Sequence, residues 1–267
     1  MNYKNKPFFK QLRLVGRLLK TDLLIFKTQF ANMIIDNCFW ISICTLISAY
    51  VLPKLGMTSS YGAFFVIGAI GSSAVFQTFG NVSRVVADLD GEKIITYPLT
   101  LPLPGWLLMV QKALSFAVQS ALIGLVILPI GKLLLMDRLN LSLINPLQFF
   151  VIYITLQIFI AGFFTMFFVS ITEKMSRILN VWTRVLFPLW FMGGSQFSWQ
   201  TLHQVSPSFA KICLFNPFIY AFEGLHAATL GQDGYLPFWL CVGMIWLFII
   251  VFAVISIRRM KKRLDFI

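Results

Sequence analysis

The sequence predicts an all-α integral membrane protein with six transmembrane helices, and three observations carry that prediction. Hydrophobic residues make up 58% of the 267 and charged residues 12%, against roughly 45–50% and about 25% in soluble domains. A soluble core of this size cannot hide so much apolar surface, and 28 Phe would leave large adhesive patches. Second, several apolar runs reach the roughly 20 residues that a helix needs to cross a bilayer. Third, the cations sort to one side of those runs: 18 of the 22 Lys and Arg lie in the two ends and in alternate connections, and 4 in the others. By the positive-inside rule both termini are cytoplasmic. The net charge of +12 is thus a topology signal, and no nucleic-acid partner is expected.

Residues 1–29 carry seven of those cations and are read as a basic amphipathic helix. Phe8, Leu12, Val15, Leu19, Leu23 and Phe26 recur at helical spacing, with Lys10, Arg13, Arg17 and Lys20 on other faces. Such a helix lies in the membrane interface, its cations among anionic lipid headgroups. The first apolar run starts near residue 30 and is too long for a signal peptide. The six-span domain then covers residues 30–257. Its spans fall near 31–52, 61–82, 106–128 (continuing to 135), 147–171, 181–192 and 236–257, the fifth short and followed by Gly193-Gly194. Residues 197–235 are too polar for a span and too apolar for a solvated loop, so a re-entrant outer segment is expected there. Residues 258–267 form a basic cytoplasmic tail.

The connection after the second span concentrates charge in a chain that otherwise avoids it. Asp88, Asp90 and Glu92 fall within five positions, and Pro98, Pro102 and Pro104 follow. Each proline disfavours helix at the residue before it, so the stretch reads as an extended connector into the third span.

Familiar catalytic chemistry is missing. There is no G-x-x-x-x-G-K-[ST] phosphate loop, no H-E-x-x-H and no G-x-S-x-G. Cys38, Cys44, Cys213 and Cys241 lack metal-binding spacing and read as small buried hydrophobes. The spans also lack the chain of ionisable residues of an ion-driven carrier. Asp36 is the main exception. It is read as an interfacial carboxylate paired with a nearby Lys or Arg, with proton coupling as the alternative. If this chain transports, its energy arrives from another chain.

One further stretch, "FNPFIYAFEGLHAATLG" (Phe215–Gly231), is similar to the N-P-x-x-Y-x-x-E-G-x-R segment of ATP-binding-cassette (ABC) type-2 exporter permeases. Asn216, Pro217, Tyr220, Glu223 and Gly224 stand at matching positions, and His226 stands where an arginine is common. Span number, basic amino-terminal helix and acidic connection resemble that family along essentially the whole chain. The resemblance implies a transport subunit, not an enzyme, in an exporter of a glycan, lipid-linked glycan or other amphipathic substrate. A drug or lipid exporter is the alternative, and an ion-coupled carrier or a membrane-embedded enzyme the further ones. It also implies partners: a pair of ABC ATPase subunits, which use ATP and Mg, and a second permease, expected to be identical. No cofactor is expected on this chain itself. Asp88, Leu89, Asp90, Glu92 and Lys93, within a coupling segment near 84–98, would meet the ATPase. Asn216, Pro217, Tyr220, Glu223 and Gly224 would form an outer gate.

Overall fold

The computed structural model describes residues 7–91, 98, 100–172 and 174–264. Among them every regular element is helical, and five helices are long and apolar enough to cross a membrane. We call the end carrying the cation-rich segments the basic end and the opposite one the far end.

Helix α1 (Pro7–Leu46) departs from expectation. The amphipathic segment and the first span form one unbroken helix, which passes through a π turn and a 3-10 turn to Leu55. No Gly or Pro occurs between Gly16 and Pro53, so nothing stops the helix near residue 30. Its 40 residues extend about 60 Å, twice the hydrocarbon thickness of about 30 Å. Part of the amphipathic face is covered by the chain itself. Val15 packs with Leu103 and Leu108, joined by Leu14, Leu18, Leu19, Leu101 and Leu107. The proline-rich connector is therefore seated against α1.

Helix α2 (Tyr61–Asp90) runs eight residues past the expected end of the second span and stops at Gly91. Helix α3 (Gly105–Leu135) begins after Pro104 and contains Pro129. Helix α4 (Pro146–Ile171) is capped by Asn145, whose side chain accepts from the Gln148 N–H. It holds a π turn at Ile158–Phe164, where the hydroxyls of Thr78 and Thr165 lie 3.1 and 3.2 Å from the Ile160 carbonyl oxygen.

The expected fifth span is a short broken helix, α5, built of Ile178–Val181, a π turn at Trp182–Leu186, and Phe187–Phe191. At roughly 1.5 Å per residue it reaches about 21 Å, short of a full crossing. Three short helices follow: α6 (Trp199–Val205), α7 (Pro207–Cys213) and α8 (Pro217–Leu230). Helix α9 (Phe238–Leu264) closes the chain.

Helix α8 is the centre of the packing. Every residue from Pro217 to Thr229 is buried, and its neighbours are α2, α4 and α9. Its apolar residues run all round the axis, so it has no face to give to water and sits in a core, taking Glu223 and His226 with it. Two glycines make the approach possible. A Cβ at Gly224 would fall 2.7 Å from Ile152 Cδ1 and 3.1 Å from Cys241 Cβ, and one at Gly71 would fall 2.7 Å from the Phe222 ring.

Candidate functional site

Two groups of residues stand out, one at each end of α2. In the far half of the molecule, Asn216 caps the inward end of α8 with its side-chain oxygen, which accepts from the Phe218 N–H at 3.0 Å. Its amide nitrogen donates to the Leu189 carbonyl at 2.7 Å. Pro217 occupies the first turn, where its missing N–H costs nothing. The Tyr220 hydroxyl donates to the Leu214 carbonyl at 2.9 Å. One cap thus fastens α8 to α5, and one phenol fastens it to the turn after α7.

Glu223 is fully buried. Its two carboxylate oxygens accept from the backbone N–H groups of Trp199 (2.7 Å) and Leu236 (3.0 Å). Burial pushes its carboxyl up to about 7, and the two amide donors pull the other way. It therefore pins the start of α6 and the segment before α9 onto α8. Its neighbour one turn on, His226, is also buried. The imidazole stacks on Phe64 with ring centroids 3.9 Å apart, and Tyr235 lies beside both rings, 5.6 Å from His226. Nε2 is 3.2 Å from the Phe64 carbonyl oxygen, so this nitrogen faces an acceptor.

At the basic end the expected coupling residues divide. Leu89 is buried, as are Val85 and Val86, in the chain's own core. The acids are more accessible: Asp90 is exposed and Asp88 half-buried. Asp90 Oδ2 accepts from the Met175 N–H at 2.7 Å, which ties the turn before α5 to the tip of α2. Glu92 and Lys93 lie outside the described residues.

A second tie went unread in the sequence. Asp22 on α1 accepts from Lys112 Nζ at 3.1 Å and from Gln111 Nε2 at 3.0 Å, both on α3. Its signal was a lone acid in a segment of cations. A cleft of about 490 Å³ lies beside this pair, with Arg84, Asp88 and Gln119 on its wall among apolar side chains. Asp36, expected to pair with a nearby cation, has no ion pair or hydrogen bond among the described residues. It is exposed on α1.

Long apolar helices packed around a buried capped helix define a multi-pass membrane protein. A family model for the ABC-2 type transporter matches residues 14–230. The chain belongs to that family and is the permease component of an ABC transporter. None of the curated proteins matches it.

Proposed function

We propose that this chain is the membrane subunit of an ATP-driven exporter, energised by a separate pair of ABC ATPases at its basic end. That end is cytoplasmic on the positive-inside rule, in a bacterial cytoplasmic membrane. MgATP is used in the partner chains. A second, identical permease completes the path.

The observation that carries this reading is the continuity of α2. It is a single helix from Tyr61 to Asp90, about 45 Å long at 1.5 Å per residue. Near the far end Gly68 touches the Ser195 backbone and Gly71 touches Phe222 of α8. At its basic end it carries Asp88 and Asp90. A push on the acids would tilt one rod and disturb the packing of α8. Carboxylates at the tip would pair with basic residues on the ATPase, giving orientation and specificity more than raw affinity.

The substrate class favoured by the resemblance is a glycan or lipid-linked glycan. The test is purification together with its ABC ATPase partner, followed by a screen for compounds that stimulate ATP hydrolysis. Stimulation by glycan-bearing lipids is expected. Stimulation by drugs or simple lipids alone would move the assignment to a drug or lipid exporter. Transport driven by an ion gradient without ATP would overturn it.

A further inference from the structure

Two charges of opposite sign, one on α1 and one on α5, have no partner among the described residues. Asp36 is exposed on α1 and Arg184 is exposed on α5. Neither has an ion pair or hydrogen bond among the described residues. Beside a membrane's apolar layer, charged side chains pair with one another or face a protein-lined or watery space.

Each charge heads an uncovered stripe. On α1, Asp36 shares a face with Phe39, Ile43 and Ile47, which are 68%, 57% and 47% exposed. On α5, Asn180, Arg184, Phe187 and Phe191 recur at helical spacing and all are exposed. In both stripes the polar group stands nearer the basic end and the apolar groups nearer the far end. The two surfaces match in order as well as in charge.

Their depths match too. Trp40 of α1 meets Phe76 of α2, with ring centroids 5.1 Å apart. Trp182 of α5 meets Phe79 at 4.8 Å and Phe76 at 6.0 Å. Asp36 lies one turn, about 6 Å, toward the basic end from Trp40, and Arg184 about 3 Å toward the far end from Trp182. The two backbones therefore differ in depth by about one helical turn. An arginine reaching toward the headgroups covers that distance.

The pair cannot close within one chain. Trp182 turns its ring to α2, and a residue two positions on points to the opposite side of the helix. Phe76 also stands between Trp40 and Trp182. A second copy in the same orientation has no such obstacle. Two copies in one bilayer are related by an axis along the membrane normal, which keeps every residue at its depth. In such a dimer a contact from residue i to residue j is repeated from j to i.

We infer that Asp36 of each protomer pairs with Arg184 of a second copy, so that the α1 stripe of one chain covers the α5 stripe of the other. This deepens the reading of the chain as one of two identical permeases and rests on it. The contact would place two ion pairs in the dimer, both nearer the basic end and within the reach of motions of α1.

The test uses two differently tagged full-length copies expressed together, with Cys38, Cys44, Cys213 and Cys241 replaced by Ala. One copy carries Asp36→Cys and the other Arg184→Cys. A short bis-maleimide is used because an acid–arginine pair holds its Cα atoms beyond disulfide reach. A cross-linked species bearing both tags is expected, and none when Leu240→Cys replaces Asp36→Cys. In parallel, dimer dissociation is measured in vesicles by subunit dilution. Asp36→Arg or Arg184→Asp should each weaken the dimer by about tenfold, and the two changes together should restore it.

A wild-type dimer with no cross-link, or with no rescue by the double exchange, would overturn the pairing while leaving the paired-permease reading intact. A wild-type chain that stays monomeric at every density would overturn both. ATPase docking, measured separately, would still stand.

Discussion

Glu223 shows how one side chain can hold three segments together. With Ala at this position, the N–H groups of the half-buried Trp199 and Leu236 lose their acceptor. Each unsatisfied buried donor costs about 1–3 kcal/mol. Glu223→Ala should therefore lower the thermal midpoint in detergent more than Glu223→Gln, which keeps one acceptor oxygen. Equal losses would mean that the two amides are satisfied elsewhere. Gly68 poses a different constraint. A Cβ there would press into the Ser195 backbone carbonyl, which has no flexible end to move aside. Gly68→Ala should separate α2 from the turn after α5 and reduce the folded yield, by the mechanism of overpacking at about 1–3 kcal/mol. Gly80→Ala, where a Cβ would meet nothing within 4 Å, is the matching control. Asn216 and Pro217 were legible from sequence because the pattern of Phe215–Gly231 is local. The partners of Glu223 were not, since Trp199 and Leu236 are backbone donors and any residue type supplies an N–H.

At the scale of elements, the legible part was the set of long apolar runs, and the illegible part was how they join. The stretch around residue 30 looks like a boundary because cations give way to apolar residues. Helix continuity, however, depends on breakers, and none occurs between Gly16 and Pro53. Past the expected end of the second span, likewise, no Gly or Pro occurs until Gly91, where α2 stops. The proline connector was read as extended, but its seat against Val15 could not be, since the contact depends on α1 continuing past it. Asp22 with Lys112 and Gln111 fixes that arrangement. Asp22→Asn should loosen the amino-terminal half of α1, and hydrogen exchange over residues 9–25 should rise while exchange in α9 stays constant. Asp22→Lys should increase exchange further, because a like charge would face Lys112. Unchanged exchange in both variants would show that the apolar contacts of Val15 and Leu108 hold α1 without the ion pair.

For the whole molecule, the account is that a push at the basic end is carried by α2 to the buried helix α8. The ties at that end support a plate that moves together: Asp90 holds the turn before α5, and Asp22 holds α1 to α3. Asp88 and Asp90 therefore have separable roles. Asp88→Ala leaves the Met175 tie in place, whereas Asp90→Ala frees that turn. The most direct measurement is the dissociation constant between the chain, held in a lipid nanodisc, and its companion ABC ATPase. The account predicts that replacing Asp88, Asp90 and Glu92 together with Ala weakens binding by about tenfold or more and lowers stimulated ATP hydrolysis, with membrane insertion unaltered. Binding and hydrolysis equal to wild type would contradict it.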